Sequence, residues 1–282
     1  MAQYKVYAFA DEADAQLDGQ IRAMLRNGLD GLEIRGVDGQ NVSEISLEKA
    51  KQVRKKLEDN GLGVWSVGSP IGKIAIDGDF ATHKEMFRHT LEVAQVLGAT
   101  NMRMFSFFMP LQDCDKNRQA VIDRLGQLLD IAKDSGVCLC HENEKGIYGA
   151  TADRCLDLYR SLPELRGVFD PANFVQCDED TRDAWKTLKP YICYLHIKDA
   201  LPDGTVVPAG KGKGNIAYIV KDFLSSGHDA ITLEPHLTVF DGLKDLEEEG
   251  NTSTIDCSAY ATADEAFDAG CAALRTILKG VS

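Results

Sequence analysis

The chain has 282 residues, more than a sandwich or helical bundle ordinarily needs and the size of one α/β barrel. A hydrophobic share of 44% and a charged share of 27% describe a globular protein that buries its core without disulfide or metal staples. The formal net charge of −13, from 44 acidic and 31 basic side chains, repels phosphate backbones and anionic lipid, so nucleic acid and membrane surfaces are set aside as partners.

Eight β-rich runs alternate with helical patterns, and they fall at residues 4–10, 31–34, 63–67, 101–105, 137–141, 167–169, 193–197 and 230–233. The first run leads into Ala10-Asp11-Glu12-Ala13, which is acidic and lacks the glycine fingerprint of a doubly wound nucleotide fold. Leu47, Ala50, Val53 and Leu57 recur at helical spacing within 46–60, and Ile122, Leu125, Leu128, Leu129 and Ala132 make a wide apolar stripe within 120–135. Gly61, Gly98 and Gly136 follow helical patterns and suit left-handed C-caps. After the eighth run, residues 238–261 form a long polar excursion containing Glu247-Glu248-Glu249. It is expected as a long loop that covers a site, reaches a neighbouring subunit or stays exposed. Strict alternation with right-handed crossovers gives a parallel sheet, and eight units favour a single (β/α)8 TIM barrel domain over residues 1–282.

Eight cysteines stand at 114, 138, 140, 155, 177, 193, 257 and 271, with no CxxC pair among them. Cys138 and Cys140 share one face of a strand and read as small packing residues, so all are expected as reduced structural thiols. No leader pattern opens the chain and no apolar run approaches about 18 residues, which makes the cytoplasm the expected location.

The chemistry of a parallel barrel sits where its strands end. The last four strands end in His141-Glu142-Asn143, Phe169-Asp170-Pro171, Leu195-His196-Ile197-Lys198-Asp199 and Leu233-Glu234-Pro235-His236. Glu142, Asp170, His196 and Glu234 therefore ring one mouth, about one βα unit apart. Converging carboxylates repel unless a cation compensates them. Three oxygens and one imidazole suit one divalent ion, Mn, Mg, Co or Zn. Taken singly, Asp170 before Pro171 also reads as a helix N-cap and His196 as a core histidine.

Several neighbours are substrate-binding candidates. Lys198 shares a face with His196, and Glu33 ends strand two together with Arg35. Lys145 and His236 stand in loops. His141 adjoins Glu142, although alternation turns it to the other face unless the strand has ended. Arg103 is an isolated charge among Met102, Met104 and Phe105, and Glu33 is its expected partner. Lys211 and Lys213 offer a phosphate contact or a solvated loop.

These residues resemble the xylose-isomerase-like superfamily of sugar phosphate isomerases and epimerases, over almost the whole chain. Gly210-Lys211-Gly212-Lys213-Gly214 is similar to the Gly-x-Gly turn that family places before its seventh helix. The resemblance implies that Glu142, Asp170, His196 and Glu234 are metal ligands and that Glu142 and Glu234 are the catalytic acid/base pair. They would pass a proton α to a sugar carbonyl through an enediolate. The family's ketose 3-epimerases carry a substrate-binding His where this chain has Asn173, an acid where it has Tyr148 and an Arg where it has Pro202. His-Ile-Lys-Asp at 196–199 looks closer to inosose dehydratases and to enzymes that cleave keto-C-glycosides, so a metal-dependent lyase stands beside the isomerase or epimerase. Barrels of this family commonly self-associate, which leaves a homo-oligomer as an open expectation. An abasic-site nuclease on the same barrel needs three zinc ions, many histidines and a basic groove, against the six histidines and net charge of −13 here. A non-catalytic sugar-binding barrel has no need of two opposed carboxylate bases.

Overall fold

Alternating inward and outward side chains let each short strand bury both faces, one in a central barrel and one under helices. A computed structural model of the chain describes residues 4–240, 254–256 and 258–281. Its barrel strands are β1 (Lys5–Ala8), β2 (Gly31–Ile34), β3 (Gly63–Gly68) and β4 (Asn101–Met104). They continue with β5 (Cys138–Glu142), β6 (Arg166–Phe169), β7 (Ile192–Ile197) and β8 (Ala230–Leu233). Each pairs in parallel with its sequence neighbours, and β8 pairs with β1 to close the barrel. The chain is a (β/α)8 barrel. The excursion expected at 238–261 lies largely outside the described residues.

The helices that wrap the barrel are α1 (Leu17–Arg26), α2 (Leu47–Glu58), α3 (Phe80–Leu97), α4 (Cys114–Ala132) and α5 (Ala152–Ser161). They are followed by α6 (Pro171–Gln176), α7 (Thr181–Leu188), α8 (Ile216–Ser225) and α9 (Ala263–Lys279). Ser46 caps α2 by accepting the Lys49 amide at 3.1 Å. Gly98 ends α3 at φ 78°, the left-handed conformation expected there. The stripe on α4 buries Leu125, Leu128 and Ala132, and a 3-10 turn at Leu111–Asp113 starts the helix earlier than the apolar periodicity indicates.

One boundary has a chemical consequence. β5 runs to Glu142, one residue beyond the expected end at 141, so alternation persists through the charged residue. Cys138, Cys140 and Glu142 thus face the interior while His141 faces the helices. Among the described residues no helix is long and apolar enough to cross a membrane.

Candidate metal centre

Glu142 ends β5, Asp170 follows β6, His196 lies in β7 and Glu234 follows β8, so adjacent strands deliver all of them to the C-terminal mouth. One ligand atom from each lies within 4.8 Å of the others, and all four residues are buried. His196 is the hub. Its Nδ1 stands 3.0 Å from Glu142 Oε1 and 3.4 Å from Glu234 Oε2. Its Nε2 lies 3.1 Å from Glu33 Oε2. Glu33 Oε1 in turn accepts the Tyr194 hydroxyl at 2.7 Å and the Ser66 hydroxyl at 3.2 Å. A carboxylate that fixes one ring nitrogen leaves the other as a ligand, the arrangement that commonly orients metal-binding histidines.

Cations pin the remaining carboxylate oxygens. Arg103 Nη1 donates to Glu142 Oε2 at 3.1 Å and lies 3.8 Å from Glu234 Oε1. Arg35 Nη1 reaches Glu234 Oε1 at 3.2 Å, while its other nitrogens hold Asp11 at 2.8 Å and Glu12 at 3.2 Å. Lys198 Nζ bridges Asp170 Oδ2 at 2.8 Å and Glu234 Oε2 at 3.1 Å. Asp170 Oδ1 accepts the Asn173 amide at 3.1 Å, so the residue caps α6 with one oxygen and offers the other to the mouth. The helix N-cap reading of Asp170 holds, and it leaves the second oxygen facing the mouth.

Burial and pairing set the charges. Burial opposes ionisation of Glu142, but His196 and Arg103 outweigh it and bring the carboxyl down to about 2. Glu234 lies well below the ordinary range, because Lys198, His236 and His196 overcome the same penalty. Burial pushes Asp170 up to about 7 despite Lys198, with Glu142 and Glu234 adding to the rise. Burial disfavours a charged His196, yet Glu142, Glu33 and Glu234 hold its pKa well above the usual imidazole range. An excess of buried carboxylate around one imidazole is a donor set that a divalent cation completes.

The mouth takes in most of the substrate-binding candidates. Asn173 Nδ2 donates to Glu142 Oε1 at 3.3 Å and to the Asn143 carbonyl at 2.9 Å. Lys198 and Glu33 are placed as above. His236 has φ 47°, and its amide donates to Glu12 Oε2 at 2.7 Å. Its ring is buried without a hydrogen-bond partner among the described residues and stands 3.9 Å from Glu234 Oε1. Glu12, Glu234 and His236 form a second compact group of potential ligand atoms. Burial raises Glu12 to about 8, against the pull of Arg35.

Two candidates stand elsewhere. Because β5 continues through Glu142, His141 points outward, with Nε2 2.9 Å from Ser106 Oγ and the ring against Tyr159. Lys145 reaches Gln176 Oε1 at 3.2 Å on the rim, outside the ligand cluster. The expected Arg103–Glu33 pair is not formed either. β4 adjoins β5, so Arg103 meets Glu142, while Glu33 is taken by His196, Tyr194 and Ser66. The glycine-rich turn is held by Asp199, whose carboxylate accepts the amides of Gly210, Gly212 and Gly214 at 2.8, 2.9 and 2.8 Å. A Cβ on Gly212 would lie 2.3 Å from the Ala200 carbonyl oxygen, which explains that glycine.

Sequence reading missed Tyr194, Ser66, Asp199 and Lys73. Tyr194 had a signal, since it shares the parity of His196 and Lys198. Lys73, 5% exposed in its side chain, sits 3.6 Å from Glu144 and over the Phe105 ring, and burial lowers its pKa.

A family description given as xylose isomerase-like TIM barrel matches residues 21–252. No curated protein matches the sequence. Among solved structures, D-psicose 3-epimerase crystallised in the presence of D-fructose is 18% identical, with 98% of this chain and 99% of that chain covered at a TM-score of 0.74. A probable 3-DHS dehydratase, AsbF, from Bacillus anthracis is 17% identical over 97% and 98% of the two chains, at a TM-score of 0.72. An IOLI protein with a bound zinc atom is 16% identical over 99% of each, also at 0.72.

Proposed function

The chain belongs to the xylose isomerase-like TIM barrel family, and from that premise we propose that it is a divalent-metal-dependent isomerase or epimerase of a sugar. One observation carries the reading. Glu142 and Glu234 come from strands separated by two others, yet their carboxylates meet across the same nitrogen of His196, at 3.0 and 3.4 Å. Glu142, Asp170, His196 and Glu234 would hold the ion. When bound, it supplies a Lewis acid that polarises a carbonyl and the adjacent hydroxyl.

The chain's own residues do the rest. Glu142 and Glu234 are both held as anions, the form a base needs to take a proton from the carbon beside a carbonyl. One takes that proton and becomes the acid; the other returns a proton to the enediolate only after taking one up from water, and the enediolate gives epimerisation or isomerisation according to the carbon that receives the proton. Glu33 fixes the His196 ring. Lys198, Asn173 and His236 line the space where sugar hydroxyls would sit, and the unpaired His236 ring offers them a hydrogen bond.

The unphosphorylated sugar is the better fit. Arg35, Arg103 and Lys198 are already paired with carboxylates, and the glycine-turn amides are turned onto Asp199. A phosphate dianion would thus face an anionic wall.

The test combines bound metal with proton exchange. Protein purified without chelator is expected to carry about one equivalent of divalent metal, and ketoses incubated with it in deuterated water should gain deuterium beside the carbonyl. Glu142→Gln and Glu234→Gln should each lower the exchange rate by about 100-fold or more. No metal uptake, even after Mn or Co is added, would sink the proposal. Unsaturated or cleaved products from inososes or keto-glycosides would replace it with the lyase reading.

A further inference from the structure

The end of the barrel away from the charged mouth holds three thiols that this chemistry does not use. Cys138 and Cys140 open β5 on its interior face, with their sulfurs 3.9 Å apart. Cys193 joins them through a β-bulge. Gly167 pairs with Ile192 and Val168 with Tyr194, so Cys193 is the extra residue on β7. Its sulfur lies 3.5 Å from Asn101 Oδ1, and Cys140 sulfur lies 3.9 Å from the same oxygen. Trp65 and Tyr194 wall the cluster edge to face.

Exposure and charge differ among the thiols. Cys140 is fully buried, whereas Cys138 and Cys193 are partly exposed. Arg166 opens β6 as the register partner of Cys140, and its charge favours the thiolate at Cys138. Hydrogen bonds from Cys140 and Cys193 bring Cys138 down to about 3, and the hydrogen bond to Cys138 pushes Cys193 up to about 12. Outside the cluster, burial pushes Cys177 and Cys271 up to about 12. A partly exposed thiolate beside a cation, with a second thiol in reach, is the setting in which cysteines react with oxidants.

We propose that Cys138 and Cys140 form a redox-active dithiol whose oxidant is a hydroperoxide. The Cys138 thiolate attacks the terminal peroxide oxygen and the O–O bond breaks. Cys138 becomes a sulfenic acid, and the departing hydroxide or alkoxide takes up a proton. Cys140 sulfur then attacks Cys138 sulfur and loses its proton, and the hydroxide displaced from Cys138 leaves as water. Two thiols are oxidised to one disulfide, and hydrogen peroxide is reduced to two waters. A bridge between alternate residues of an extended strand is strained, so thiols reduce it readily. Glu142 lies two residues further along the same strand.

The experiment exposes the reduced full-length protein to a small excess of hydrogen peroxide, blocks remaining thiols with an alkylating agent and maps peptides by mass. The expected product is about 2 Da lighter, with Cys138 and Cys140 protected from alkylation and recovered by dithiothreitol. It should form about ten-fold faster than Cys177, a partly exposed thiol outside the cluster, is oxidised. Cys138→Ser should abolish it and Cys193→Ser should retain it; Cys138→Ala serves where the serine variant does not fold. Persistence of the lighter product without Cys138 overturns the proposal, as does faster oxidation of Cys177. A bridge from Cys138 to Cys193 overturns the role of Cys140.

Discussion

The same strands supply both ends of the barrel, with opposite chemistry. β5 begins with Cys138 and Cys140 and ends with Glu142, and β7 passes from Cys193 and Tyr194 to His196. At the N-terminal end the interior residues are thiols and aromatic rings, including Trp65 stacked on Tyr7 at 5.2 Å. Two residues along, from Cys140 to Glu142 and from Tyr194 to His196, the interior is carboxylates, guanidinium groups and an imidazole, all nearly inaccessible. Burying apolar surface stabilises a fold, whereas burying charges costs several kcal/mol per ion unless each is paired. One end can hold the barrel together; the other draws on that stability to keep a charged site dry. Tyr194 joins the two, with its ring against Trp65 and its hydroxyl on Glu33.

If the charged mouth is strained by excess carboxylate, removing a cation should cost most. Arg103→Met would leave Glu142 without its partner at 3.1 Å. A loss of about 3–5 kcal/mol in unfolding free energy is expected without metal. A divalent ion should restore part of it, so the rise in melting temperature on adding Mn should exceed that of the unsubstituted protein. Equal rises in the two would break the contrast between the ends, because the mouth would then be no more charge-starved than the rest.

The second substitution asks whether the outer carboxylate works through His196. Glu33→Gln keeps the size and one acceptor but removes the charge that faces His196 Nε2 at 3.1 Å. Metal affinity, followed by titration calorimetry, is expected to fall about 10–100-fold. An unchanged affinity would reduce Glu33 to a packing residue.

The barrel was legible because its regularities are local. Alternation of apolar runs, glycine C-caps and acids at strand ends are all read within one βα unit, and the eighth strand falls at residues 230–233 as expected. Glu142, Asp170, His196 and Glu234 stood out because ionisable groups interrupt apolar strands there. What stayed hidden depends on register between strands. The partner of Arg103 followed from β4 lying against β5, and a shift of one residue at the end of β5 turned His141 outward. The hold of Tyr194 and Ser66 on Glu33 joins three strands and leaves no trace in spacing. Asp199 gathers amides from a turn more than ten residues on, so its part as the anchor of the glycine-rich loop leaves no local signal.

The smallest effect concerns a support of the charged end rather than the site itself. His83 on α3 accepts the Gly72 amide at 2.8 Å and thereby fastens the loop that carries Lys73 over the mouth. Burial, with Arg124 nearby, pushes its pKa down from the ordinary imidazole range to about 4. Only the neutral ring can accept that bond, so the folded state binds the proton less readily than the unfolded chain. The stability His83 contributes is therefore complete above about pH 6.5 and is lost as pH falls through the window toward about 4. The expected loss is of the order of 1 kcal/mol, or about 2–4 °C in melting temperature. His83→Gln retains an acceptor without a titrating group, so its melting temperature should fall less than that of the unsubstituted protein between pH 7 and pH 5. Parallel falls in the two proteins would show that acid acts on the carboxylate mouth directly and that this loop support is indifferent to it.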